Sequence, residues 1–185
     1  MYTNTGLDYP KIVSTYRQRY DRMAESSYML DFKAYTRSIL GDPIDSLNWE
    51  QLLAWEHRHL TYTKGDLPKP RAEMPIDIIK QAKGRCGEFA LLYNGLLIAN
   101  NNDCRLILDC SKLRDESKTS AGDHVWNEVK QNDQWVHIDP TEGRINQPLM
   151  YVNDWNKDVN LVFAIARKEI LDVTGTYRMR AKNMV

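Results

Sequence analysis

Cysteine is scarce in this chain: three residues, Cys86, Cys104 and Cys110, with no CxxC pair among them. Cys104 and Cys110 lie in one apolar, strand-like run, which separates them by roughly 20 Å. A disulfide tolerates about 7 Å between Cα atoms, so the two cannot pair in that conformation. Buried apolar thiols and a reducing compartment are expected. The four histidines and three cysteines show no metal-ligand spacing, which argues against zinc. An excess of either charge is also lacking, since 25 Lys and Arg balance 25 Asp and Glu. That argues against an electrostatic nucleic-acid or membrane surface as the main activity. No apolar run approaches the roughly 20 residues that span a bilayer. The N-terminus is polar and lacks a signal-peptide core, so the cytoplasm is the expected location.

What remains fits one domain over residues 1–185, large enough to bury a core without staples. Residues 1–83 read as mainly helical, and 84–177 as a catalytic helix and a sheet. Ile12, Tyr16, Tyr20 and Met23 recur at helical steps, and a shorter amphipathic run follows from Phe32 to Leu40. After the break at Gly41-Asp42-Pro43, Ser46 is the expected N-cap of a helix carrying Trp49, Leu52, Leu53 and Trp55. Lys64 to Pro75 reads as a surface loop, and Pro75 suits the first turn of a short helix through Lys83. Cys86 to Ala99 has helical spacing and stops at Asn100-Asn101-Asn102. Strands are expected at Cys104–Cys110, Asp123–Lys130, Gln134–Asp139, Leu161–Ala166 and Ile170–Tyr177, with a polar loop from Lys112 to Gly122. Helices first and a mainly antiparallel sheet afterwards make the fold class α+β.

One constellation carries chemistry. Gly84-Arg85-Cys86-Gly87 opens a helix, and a helix N-terminus favours a thiolate through its partial positive charge and free N–H groups. Arg85 adds positive potential beside it. Strand alternation puts His124, Trp126 and Glu128 on one side of their strand, and Trp135, His137 and Asp139 on one side of the next. An Asn132-Asp133 turn pairs residue 126 with 139, whereas a Gln131-Asn132 turn pairs 124 with 139. Either register leaves Asp139 on the His124 face and within side-chain reach. A three-residue turn would reverse that parity. The favoured arrangement lets a carboxylate fix the imidazole tautomer while the other ring nitrogen addresses Cys86.

Gly-Arg-Cys-Gly-Glu at 84–88, Asp-His-Val-Trp-Asn-Glu-Val at 123–129 and Trp-Val-His-Ile-Asp-Pro at 135–140 resemble the transglutaminase-like superfamily. Within it the chain is most similar to cytoplasmic peptide:N-glycanases, which cleave the amide joining an N-glycan to asparagine. The similarity continues through Gln-Pro-Leu-Met-Tyr at 147–151, Trp155 and 163–174, with a weaker echo at Leu52, Leu53 and Trp55; it covers roughly 52 to 177. The resemblance implies a papain-like core with the cysteine helix packed on the sheet. It implies Cys86 as nucleophile, His124 as general base and acid, and Asp139 as orienter. Glu128 and Trp155 would meet the first sugars, and Trp126 and Trp135 would help build the cleft. Exposed Trp rings suit the apolar faces of sugars. Core packing is the favoured reading for Trp135, Trp49 and Trp55, although an upstream Trp of transglutaminases donates to the oxyanion. This chemistry calls for no cofactor, and the implied partner is an unfolded glycoprotein or peptide substrate.

The chain also departs from the glycanase pattern. Lys64 to Pro75 stands where paired CxxC zinc motifs usually lie, and it holds no cysteine. Phe89 and Gly175 replace two family tryptophans, and Lys112 to Gly122 looks inserted before His124. Two alternatives therefore stay open: a cysteine peptidase or acyl transferase acting on another amide, and a binding module that retains the fold without the reaction.

Overall fold

The computed structural model describes residues 11–111, 124–146 and 160–182. The expected features at Lys112–Gly122, Gln147–Tyr151 and Trp155 lie outside them. Four helices come first: α1 (Lys11–Met23), α2 (Ser26–Ser38), α3 (Trp49–His59) and α4 (Pro75–Gln81). Short strands β1 (Thr61–Tyr62) and β2 (Lys83–Gly84) pair in parallel just before α5 (Cys86–Ala99). β3 (Cys104–Ser111), β4 (His124–Gln131), β5 (Gln134–Asp139), β6 (Arg144–Ile145), β7 (Asn160–Ala166) and β8 (Glu169–Asp172) follow. They form an antiparallel six-stranded sheet in the order β6-β5-β4-β3-β7-β8. A final helix, α6, spans Thr174–Lys182.

The core is built around α5. Its residues from Gly87 to Leu97 are all buried, as befits a helix apolar on every side. Helices α1–α4 cover part of it, and Val125, Val129 and Ile138 of the sheet pack from the other direction. α1 turns Val13, Tyr16, Tyr20 and Met23 inward, the face that the three- and four-residue spacing predicts. Tyr20 anchors it by donating to the Cys104 carbonyl at 2.7 Å. The opposite face of the sheet has its own smaller core, in which Ile107, Trp126, Val162 and Ala164 are covered by Val173 and by Tyr177 of α6. Among the described residues, no helix is long and apolar enough to cross a membrane.

Three local expectations are corrected. The N-cap of α3 is Asn48, not Ser46: the Gln51 N–H donates to Asn48 Oδ1 at 2.8 Å and the Asn48 N–H to Gln51 Oε1 at 3.0 Å. Ser46 instead takes a left-handed turn, φ 65°. The helix from Pro75 stops at Gln81, because Ala82 is left-handed and Lys83 enters β2. The run Ile170–Tyr177 is a strand only to Asp172. There the Asp172 carboxylate accepts from the Thr174 N–H at 2.9 Å and the chain turns into α6.

Candidate active site

Cys86 is the first residue of α5 and is half-buried. Its turn is fixed by Glu88, whose carboxylate accepts from the Arg85 N–H at 3.0 Å. The same carboxylate, 3% exposed, accepts from Arg71 Nε at 2.7 Å and from Nη2 at 2.6 Å, a bidentate pair. The proline-rich loop therefore docks onto the cysteine turn. Arg85 donates to the Lys64 and Gly65 carbonyls at 3.2 and 3.0 Å. Its guanidinium thus serves to hold that loop.

His124 begins β4 and Asp139 ends β5. The hairpin turns at Asn132 and Asp133, both with positive φ (48° and 60°) and Gln131 opposite Gln134. This is the first of the two predicted registers. Continued to the strand ends, it sets Asp139 across from Trp126 and diagonal to His124. His124 Nε2 lies 2.8 Å from Asp139 Oδ2, and Asp139 Oδ1 accepts from the Thr141 N–H at 3.1 Å. The carboxylate is 1% exposed, so both oxygens are oriented in a dry setting. Cys86 acts on the same ring as a hydrogen-bonding and charge partner. Burial alone would lower the His124 pKa, but the bonds to Asp139 and Cys86, with their charges, push it up to about 9.

Two further contacts set the spacing between α5 and the sheet. Asn127, fully buried, donates to the Ala90 carbonyl at 3.1 Å and so ties β4 to α5 one turn beyond Cys86. His57 of α3 bonds the Pro140 carbonyl at 2.7 Å while its ring meets Phe89 edge-on, which steadies the peptide after Asp139. Parity held the signal for Asn127: an amide between Val125 and Val129 faces the helix and must find a partner there. No comparable signal marked Arg71 or His57.

The residues expected to meet a ligand are placed differently. Glu128 is fully buried. It accepts from Arg105 at 2.7 Å, from the Tyr177 hydroxyl at 2.5 Å and from Arg180 at 2.7 Å. Burial works against its charge, yet these partners hold its carboxyl below the ordinary value. Trp126 is also fully buried, its indole N–H donating to the Tyr177 hydroxyl at 3.1 Å and its ring stacked 5.6 Å from His124. Both sit on the predicted face, but α6 covers that face behind the histidine. Trp135 is half-buried rather than core, with the Arg105 guanidinium 4.0 Å over its ring. Trp55 is core, and its indole N–H is committed to the Asp42 carbonyl at 3.1 Å.

Residues 33–140 match the family model of the transglutaminase-like superfamily. The chain belongs to that superfamily. Its relatives include a peptide-N(4)-(N-acetyl-beta-glucosaminyl)asparagine amidase from Caenorhabditis briggsae, 33% identical over 63% of this chain and 18% of the relative. A protein of the same name from Arabidopsis thaliana is 36% identical over 58% of this chain and 14% of the relative. The chain thus spans less than a fifth of the length of these relatives. Solved structures of low identity share the fold of this chain. A Rad4–Rad23 complex bound to a 6-4 photoproduct lesion matches with TM-score 0.54 and 15% identity, over 89% of this chain and 46% of the other. A candidate protease from Parabacteroides distasonis matches with TM-score 0.51 and 10% identity, over 87% of this chain and 32% of the other.

Proposed function

We propose that this protein is a thiol amidase that releases N-glycans from asparagine in unfolded glycoproteins or glycopeptides. The observation that carries the reading is the chain of contacts from Cys86 through His124 to Asp139 at the open end of α5. The substrate class rests on the similarity to the two amidases. In the reaction the Cys86 sulfur bonds to the side-chain amide carbon, and the carbonyl electron pair moves to oxygen. That pair returns as the carbon–nitrogen bond breaks, and His124 gives its proton to the leaving glycosylamine. Water then attacks the thioester, with His124 taking the proton, to leave aspartate and free Cys86. Asp139 holds the ring and favours its protonated form throughout. All three cysteines are free, which suits the reducing cytoplasm as the place of action.

The test is incubation with a denatured high-mannose glycoprotein beside the Cys86→Ala variant. Conversion of the glycosylated asparagine to aspartate is expected from the native protein alone. No conversion by native protein with a reactive Cys86 would reject the glycan substrate, and conversion by the alanine variant would reject the nucleophile.

A further inference from the structure

The contacts around Cys86 leave one group without a role. Tyr16 comes from α1, outside the matched residues 33–140. Its ring is buried, 6% exposed, and the Arg19 guanidinium lies 5.3 Å above it. Its hydroxyl is brought against the residue after the nucleophile. A Cβ added to Gly87 would sit 2.6 Å from that oxygen and 3.9 Å from the Arg71 guanidinium. Gly87 is therefore required here for the phenol to come so near the α5 backbone. Burial raises the phenol well above its ordinary pKa, with the charges of Cys86 and Glu88 adding, so it stays a proton donor across the working pH range. The charge of Cys86 is among those that act on the phenol. A donor held beside the residue after the nucleophile can meet an oxygen on a carbon bonded to the Cys86 sulfur, where an oxyanion forms.

We propose that the Tyr16 hydroxyl donates a hydrogen bond to the oxyanion of the tetrahedral intermediate formed at Cys86, and so is a further catalytic residue. The proposal rests on Cys86 being the nucleophile. As the Cys86 sulfur bonds to the carbonyl carbon, the oxygen takes up the carbonyl electron pair and accepts from Tyr16. The pair returns when the leaving group departs. Tyr16 keeps its proton throughout, and His124 supplies the proton that the leaving amine takes.

Two small probes of Cys86 separate this role from a structural one and need no natural substrate. Acylation by p-nitrophenyl acetate passes through an oxyanion, whereas alkylation by iodoacetamide does not. Tyr16→Phe keeps the buried ring, and is expected to slow the nitrophenol burst by about 10²-fold while alkylation stays within about twofold. Gly87→Ala, which drives a methyl into the hydroxyl, should slow the burst in the same selective way. A burst within about threefold of native in Tyr16→Phe overturns the proposal, as does an equal loss in both reactions, which would mark Tyr16 as a support for the thiol. Cys86→Ala serves as the separate control. A native-like burst from that variant would overturn the nucleophile itself, a failure distinguishable from that of Tyr16.

Discussion

Replacing Asp139 by asparagine isolates the charge on which His124 depends. The side chain keeps its shape, and its amide oxygen can still accept from Nε2 at the present 2.8 Å separation, but the carboxylate is gone. In the native protein the His124 pKa stands at about 9 against an ordinary 6.5, although burial by itself would lower it. At about 1.4 kcal/mol per pH unit that difference is about 3 kcal/mol of preference for the imidazolium, shared between Asp139 and Cys86. Without the Asp139 charge, the remaining push from Cys86 works against burial, and the pKa is expected to fall below about 7. Proton NMR of the histidine ring can follow this, because the chain has four histidines and His137 is displaced the other way, to about 4, mainly by burial. A raised His pKa contributes stability that is fully present below 6.5 and is lost as pH rises through about 9. The melting temperatures of native and Asp139→Asn proteins should therefore differ most near pH 6 and converge toward pH 10. A His124 resonance that still titrates near 9 in the variant would refute the assignment of that charge to Asp139.

Two other buried carboxyls give opposite expectations. Glu128→Gln leaves Arg105 and Arg180 facing an uncharged amide and should cost about 3–5 kcal/mol at pH 7. Because its folded pKa is depressed, that contribution is present above about 4.5 and fades as pH falls, so chemical denaturation at pH 7 and pH 3 should show a large and a small loss. A loss equal at both pH values would count against the ion network. Glu56, fully buried in α3, has its carboxyl pushed well above the ordinary range, first by burial and then by the charge of Asp139. It holds a proton that the unfolded chain releases, so its burden on stability grows as pH rises above about 4.5. Glu56→Gln should stabilise the protein at pH 8 and change little at pH 4; a stability loss at pH 8 would contradict this.

Legibility in the sequence followed the range of the forces involved. α5 was readable to the residue because its apolar period and the Asn100-Asn101-Asn102 stop are local signals. The β4–β5 register followed from one turn, because Asn132 and Asp133 tolerate positive φ. α6 was not readable, since Val173 and Thr174 favour strand and Gly175 weakens helix. That miss spread to the site. Parity states which side of a strand Trp126 and Glu128 occupy, but not whether another element covers that side. The partners of Glu128 come from Arg105 and Arg180, on β3 and α6, and that of Glu88 from the loop at Arg71. Such pairings depend on tertiary approach, and no spacing rule encodes them.

The strand order carries a consequence for the order of synthesis. Cys86, His124 and Asp139 have all been made once residue 139 leaves the ribosome. At that stage β3 is bonded to β4 on one edge only, because its other neighbour, β7, begins at Asn160. Trp126 and Glu128 likewise wait for Tyr177 and Arg180 before their side of the sheet is sealed. A nascent chain thus holds all three residues of the proposed triad while its central strand still shows an open, apolar edge. The interval between residues 139 and 182 is its period of greatest exposure to mispairing.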